Sequence, residues 1–394
     1  MTKAKRSLSF LIILSALMAM TSLSMDIYLP ALPTMEKELG GNAELTVTGF
    51  LLGFAIGQLV WGPISDRIGR RLPLFIGMVL FIIGSIGCAM ADSMSAVIFW
   101  RVFQALGACV GPMLSRAMIR DQFARSQAAQ MLSTLTIIMA IAPIVGPFIG
   151  GTVVKFASWH WIFWLLAAVG VMIFFAQFKL PETLPEAKRA SGSILSAFNN
   201  YGQLFTNKPF MRYTLSVTFF YVAAFVFFTG TPFVYIDYFG VAPENYGFYI
   251  VVNILGVVAL SFINRKLVSR YSLSNLLVAS TLISLIGAIV LMTFVKAEIW
   301  GVFGIVVPMA VVFGMNGIIA ACANAAALDS VSDEIAGSAA ALVGSLQYGS
   351  GVLSSLLLAW LSDGTPWTMA WLIGLFVALS FVMAVLAKVS HKMK

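Results

Sequence analysis

Apolar residues along this chain come in long runs, and charged residues interrupt them at near-regular intervals. Reading between the charges gives twelve runs, at about residues 8–29, 45–64, 72–91, 96–117, 127–150, 160–178, 211–234, 245–264, 273–295, 299–321, 336–361 and 367–387. A helix needs about 20 mostly apolar residues to cross a hydrocarbon core of roughly 30 Å. Inside that core every backbone polar group needs an internal partner, so only helices and closed barrels can span it. These runs are too long and too continuously apolar for barrel strands. The pattern therefore predicts an all-α membrane protein with 12 transmembrane helices.

Composition agrees, with 60% apolar residues, 10% charged residues and a mean hydropathy of +0.95. Such a balance belongs to a protein solvated by lipid. Cytoplasmic loops retain Lys and Arg, and the short loops here are lopsided. With both termini inside, the inner side holds Arg67, Arg70, Arg71, Arg120, Arg125, Arg265, Lys266 and Arg270 together with the basic termini and the central loop. The outer side holds Lys37, Lys155 and Lys296. The net charge of +8 is thus mostly topology rather than a nucleic-acid footprint. The basic N-terminus leads into a run of full spanning length and not toward a small-residue cleavage site, so it is read as a first span and not a signal peptide. Cys88, Cys109 and Cys322 lie inside spans, which implies no disulfide framework. Only two histidines are present, His160 and His391, and no metal-ligand cluster accompanies them, so no metal or cofactor is expected.

One polar loop, from Lys179 to about Lys208, divides the spans six and six and carries Pro181 and Pro185, with Pro209 just beyond. The expected organisation is a six-helix bundle over 1–180, a cytoplasmic linker over 181–208 and a second bundle over 209–394. Two such halves in one orientation imply a pseudo-twofold axis along the membrane normal and a cavity between them. Internal repetition adds little: Asp66–Arg70 aligns with Lys266–Arg270, and only the final arginine is shared.

Several stretches resemble a known family. Gly62-Pro63-Ile64-Ser65-Asp66-Arg67-Ile68-Gly69-Arg70-Arg71 resembles the signature loop of the major facilitator superfamily, and Arg101-Val102-Phe103-Gln104-Ala105-Leu106-Gly107 resembles its fourth-helix motif. Ala142-Pro143-Ile144-Val145-Gly146-Pro147-Phe148-Ile149-Gly150-Gly151 is similar to the fifth-helix motif associated with antiporters. Met25-Asp26-Ile27-Tyr28-Leu29-Pro30 with Trp159-His160-Trp161 and Pro181-Glu182-Thr183 narrows the likeness to the Bcr/CflA drug exporters, the bicyclomycin and chloramphenicol/florfenicol resistance type. Ala105 stands where that fourth-helix motif usually has glycine. The resemblance covers essentially the whole chain. It implies a proton-coupled drug exporter in a bacterial cytoplasmic membrane, and the enclosed pathway of two bundles implies a monomer.

The motifs also have physical readings. Gly62 and Pro63 are expected to end the second span, and Gly69 to supply a turn. Asp66 is not needed for topology; the resemblance makes it part of a gate. The loop before the eleventh span carries Asp329, Asp333 and Glu334 and no Lys or Arg. Asp333 and Glu334 are therefore expected to meet Arg67, Arg70 or Arg71 when the inner side closes, the alternative being a solvated charge cluster. Pro143, Gly146, Pro147 and Gly150 allow a kink and close helix approach, and packing against the other bundle is expected to seal a leak.

Asp26 and Arg101 are the charges that matter most. With about 1.5 Å per residue, both fall at similar depth in the outer half of their spans. A charge inside a span costs about 2.5 to 3.5 kcal/mol even on the lenient insertion scale, so such groups face a cavity or a partner. A carboxylate whose wetting changes between two states changes its proton occupancy. Drug and proton are expected to compete for Asp26, the alternative being a structural ion pair. Arg116, further down the same span, either contacts substrate or anionic lipid or snorkels. The fold implied by the resemblance lines its cavity with spans one, four, seven and ten. They supply Tyr28, Tyr221, Phe225, Phe228, Thr229, Tyr235, Asn316 and Asn324, an aromatic wall suited to small amphiphilic drugs. Other readings are a proton-coupled importer of a small metabolite and, further off, a membrane enzyme acting on lipid-linked substrates.

Overall fold

The computed structural model describes residues 3–123, 125–189, 194–332 and 335–392. Every regular element among them is a helix. The chain divides into two compact units, Met1–Ile194 and Leu195–Lys394.

Unit 1 is built from α1 (Lys3–Asp26), α2 (Leu32–Leu39), α3 (Glu44–Ile68), α4 (Arg71–Ala89), α5 (Met94–Ala108), α6 (Val110–Gln122), α7 (Arg125–Phe156) and α8 (His160–Ala176). α3 packs on α5, α4 on α5 and α8, and α1 on α6 and α7. After α9 (Ile194–Thr206), unit 2 comprises α10 (Lys208–Pro232), α11 (Tyr246–Leu267), α12 (Leu273–Lys296), α13 (Phe303–Gly314), α14 (Asn316–Asp329), α15 (Ala336–Leu361) and α16 (Pro366–Lys392). There α10 packs on α14, α15 and α16, while α13 lies against α11 and α12.

Eleven helices among the described residues are long and apolar enough to cross a membrane, and this is a multi-pass membrane protein. The remaining predicted span falls on α7, whose described apolar stretch is Ile141–Phe156. Exposed Leu8, Ile12, Ile83, Met172, Phe248, Ile286 and Val382 fit helices whose outer faces meet lipid.

Four features depart from the sequence reading. α3 runs straight through Pro63 and ends at Gly69, whose φ of 94° suits glycine. The proline removes one backbone donor, which is not enough to stop a helix packed along its length. The fourth span is two helices that meet at Cys109, and the tenth is two that meet at Met315. The linker is not featureless: its later part is α9, which buries Tyr201 and Leu204 and is joined within unit 2 by bonds from Asn200 to Ser338 and, just after the helix, from Asn207 to the Ser330 carbonyl. Asp333 and Glu334 lie outside the described residues.

Candidate functional site

α1 ends at Asp26 because the chain tightens there into a single 3-10 turn, Leu29–Ala31, with Pro30 fixing its geometry. The last carbonyls of a helix have no partner within it. One of them, on Ser24, accepts a bond of 3.0 Å from Nη1 of Arg101 on α5. Arg101 therefore places a full positive charge at the negative end of the α1 dipole. It is fully buried.

The rest of the Arg101 environment holds it in one pose. Its Nη1 also donates to Gln104 Oε1, and Gln104 Nε2 donates to Ser85 Oγ at 2.8 Å. The guanidinium lies 4.1 Å from the centroid of Tyr28 and 4.2 Å from that of Phe50, a cation between two π faces. Tyr28 in turn has its hydroxyl 3.3 Å from Thr46 on α3. Nε and Nη2 of Arg101 have no hydrogen-bond partner among the described residues. Asp26 is 8% exposed and feels the Arg101 charge, and no direct ion pair joins the two among the described residues. The depth argument placed these two residues at one level, and they are near enough for the Arg101 charge to act on Asp26. It missed Ser24, Phe50 and Ser85, whose signal is only their position on neighbouring helices.

Gly146 and Gly150 explain how α7 reaches this site. A β-carbon on Gly146 would sit 3.3 Å from Asp26 Cβ, and one on Gly150 would overlap the Ile27 carbonyl. The expected close packing is present, but its partner is α1 of the same unit; glycine spacing announces close approach without saying to what. Pro143 and Pro147 lie inside the unbroken α7.

A second cluster forms around Gly69 and Arg70. Arg70 Nη1 lies 2.6 Å from Asp66 and 2.9 Å from Ser65 Oγ, and its Nε lies 3.1 Å from Asp121 at the end of α6. Burial opposes the Arg70 charge, yet these carboxylates hold its pKa above the ordinary arginine value. The sequence reading had offered Arg67, Arg70 or Arg71 to the acidic loop at Asp333 and Glu334, which lie outside the described residues; the Arg70 guanidinium is engaged within unit 1, where the α6 terminus lies beside the turn after α3. Glu182 is the residue sequence reasoning left without a role. Its carboxylate accepts from the backbone N–H of Arg70 at 2.9 Å, Arg71 at 3.0 Å, and Thr183 and Leu184 at 2.9 Å each. Partial burial pushes the Glu182 pKa up, but these four N–H groups outweigh it and hold the carboxyl below its usual value. Thr183 Oγ1 adds a bond of 3.1 Å to Asp121. Pro181-Glu182-Thr183 therefore fastens the start of the linker to the N-terminus of α4. Gly62 is half-buried on α3, and Arg116 is exposed on α6.

In unit 2 two of the predicted wall residues meet Tyr348 of α15. Tyr221 and Phe225 have ring centroids 6.5 and 6.2 Å from it, and Phe228 meets Phe313 edge-on at 5.0 Å. Asn316 opens α14 with its buried Oδ1 lacking a partner among the described residues, and Asn324 accepts 2.7 Å from Gln347.

Residues 14–355 match the profile of the Major Facilitator Superfamily. The chain belongs to this superfamily. As one of its members it is a transporter and not an enzyme. It is 35% identical over 295 residues to an uncharacterized MFS-type transporter of Bacillus subtilis, covering 73% of each chain. It is 28% identical over 387 residues to a bicyclomycin resistance protein homolog of Haemophilus influenzae, covering 96% of each. Among solved structures, a D-xylose-proton symporter superposes with a TM-score of 0.78 at 13% identity, over 96% of this chain and 97% of that one, a likeness of fold.

Proposed function

We propose that this transporter exports small amphiphilic antibiotics of the phenicol or bicyclomycin type in exchange for protons, by alternating access. In this reading twelve spans form two pseudo-symmetric bundles, over 1–180 and 209–394, with both termini in the cytoplasm of a bacterial cell and the chain working as a monomer in the inner membrane. The resistance-protein relative and the motif resemblance support drug as cargo. The observation that carries proton coupling is Asp26, a nearly buried carboxyl at the end of α1 that faces the charge of Arg101 without a direct pair.

The chemistry is a competition. An Asp26 hydrated in one state and desolvated in the other binds its proton with different strength in each. Protonation from outside displaces the drug, and loss of the proton inward resets the site. Arg101, fixed by Ser24, Gln104 and two rings, does not follow the drug. Tyr28 and Arg116 of unit 1 and Tyr221, Phe225, Phe228 and Asn316 of unit 2 contribute drug contacts. Gly62, Asp66, Arg67, Gly69 and Arg70, the α7 residues Pro143, Gly146, Pro147 and Gly150, and Asp333 and Glu334 serve gating.

The test is Asp26→Asn in inverted vesicles with an acidified lumen. The wild-type chain is expected to release protons when drug is added, and the variant to bind drug without releasing them. A variant that still drives drug uphill on a proton gradient removes Asp26 from the mechanism. Proton movement in the importer direction on adding drug removes antiport.

A further inference from the structure

At one end of unit 2, where α10 and α12 finish and α13 and α16 begin, lies a half-open cavity of about 470 Å³. That is the size of a small-ligand site. Lys296, the last residue of α12, lies on its wall with Nζ 5.0 Å from the centroid of the Trp367 ring. Among the described residues no carboxylate pairs with Lys296. Its three donors are held by a π face that leaves them available to an anion.

Two carboxylates share the cavity. Asp363 accepts from Thr365 N at 2.9 Å, from Thr365 Oγ1 at 2.7 Å and from Thr368 Oγ1 at 3.2 Å. These bonds to Thr365 hold its carboxyl below the usual range, so the group stays ionised. Glu298 belongs to the connection between α12 and α13, where Glu298 has φ 54°, Trp300 φ 61° and Gly301 φ 52°. Left-handed backbone is unfavourable for the first two of these. One cation, two carboxylates and an indole complement a ligand that carries both an anion and an ammonium.

The position of the cavity selects the source. It lies at the ends of membrane-length helices, and Trp300 and Tyr238 are exposed beside it, as aromatic residues are at the headgroup level. Phe303 and Val307, exposed on α13 alongside the cavity-lining Gly301 and Ile305, offer apolar surface that acyl chains can cover and a free solute cannot use.

We propose that this cavity holds the headgroup of an aminophospholipid, with its phosphate on Lys296 and its ammonium against Asp363 and Glu298. The site is separate from Asp26 and stands whether or not that residue couples the proton.

Full-length protein in detergent, titrated with phosphatidylethanolamine or phosphatidylglycerol, tests it through lipid retained in native mass spectrometry and through thermal unfolding. The wild-type chain is expected to retain phosphatidylethanolamine preferentially and to gain thermal stability from it. Lys296→Gln removes the charge and leaves a shorter polar side chain, and is expected to weaken that retention about tenfold. Asp363→Asn should do the same, and Lys155→Gln, at the end of α7, should not. Because Asp363 also organises its own loop, Lys296→Gln decides the matter if Asp363→Asn misfolds. Equal retention of the two lipids, or retention indifferent to Lys296→Gln, overturns the proposal. Protection by glycerophosphoethanolamine at the concentration where the lipid protects overturns the lipid assignment in favour of a free zwitterion.

Discussion

The two units repeat one plan and fill it with different chemistry. The first helix of each ends in a distorted turn, a 3-10 turn at Leu29–Ala31 in unit 1 and a π-helical turn at Phe233–Tyr238 in unit 2. The fourth spanning segment of each breaks midway, at Cys109 and at Met315. A threonine meets a tyrosine hydroxyl beside each first turn: Thr46 with Tyr28 at 3.3 Å, and Thr231 with Tyr246 at 2.9 Å. Around that shared frame unit 1 buries Asp26 and Arg101, whereas unit 2 buries Tyr235, Tyr246 and Asn253 and, among the described residues, no charged one. Buried charge requires a constructed environment, and only unit 1 has one in Ser24, Gln104, Tyr28 and Phe50. Unit 1 thus has a built environment for charge, and unit 2 an aromatic wall; the proposed division of proton and drug handling rests on that contrast.

Arg101→Met is the most damaging way to break this comparison. It strips the cation from the end of α1 and leaves the Ser24 carbonyl and Gln104 Oε1 without their buried donor, a loss of about 1–3 kcal/mol. A marked fall in Tm and loss of proton-coupled transport are expected, and Arg101→Lys should recover part of the stability while losing the planar guanidinium between the rings of Tyr28 and Phe50. Retention of full transport by Arg101→Met would erase the contrast between the units. Gly150→Ala comes next, at about 1–3 kcal/mol, because the added methyl meets the Ile27 carbonyl, backbone that cannot rotate away. Thermal unfolding measures it, with Gly202→Ala, where a β-carbon meets nothing within 4 Å, as the matched control.

Glu182→Gln should cost about 1–2 kcal/mol, with a pH signature. The folded-state pKa of Glu182 is depressed below 4.5, so its contribution is complete above that value and is lost as pH falls through the folded-state pKa. The gap in Tm between wild type and variant should be full at neutral pH and close in acid; a gap unchanged on acidification would show that the carboxylate charge is not what fastens the linker. The smallest effect is expected in unit 2. Tyr348→Leu removes ring contacts with Tyr221 and Phe225, each worth about 0.5–1.5 kcal/mol. It should alter relative drug affinities by about tenfold at most while leaving the protons moved per drug unchanged, as drug-binding and proton-release assays would show.

Legibility differed sharply from one residue to another. Asp26 and Arg101 could be matched because helices advance by a constant rise, so count from a membrane boundary is depth. The glycines of α7 announced close approach, but α1 as their partner depends on the order in which helices pack. Arg70 looked available to a distant acidic loop, since charge and topology were visible and the α6 terminus bearing Asp121 was not. Glu182 was read only as part of a resemblance: nothing in a carboxylate flanked by proline and threonine tells which backbone amides it will meet 111 and 112 residues earlier.

By itself the chain of residues determined lipid as its solvent, helices as its elements and one carboxylate–guanidinium pair as its exceptional charge. Those properties are local or additive along the sequence, and a bilayer enforces them residue by residue. Tertiary structure alone decided that Arg101 caps α1 between two rings, that α7 leans on Ile27 and that the linker is anchored through Glu182. Each of these depends on the angle and rotation at which separate helices meet, and close packing sets those through many small contacts that no single stretch of sequence contains.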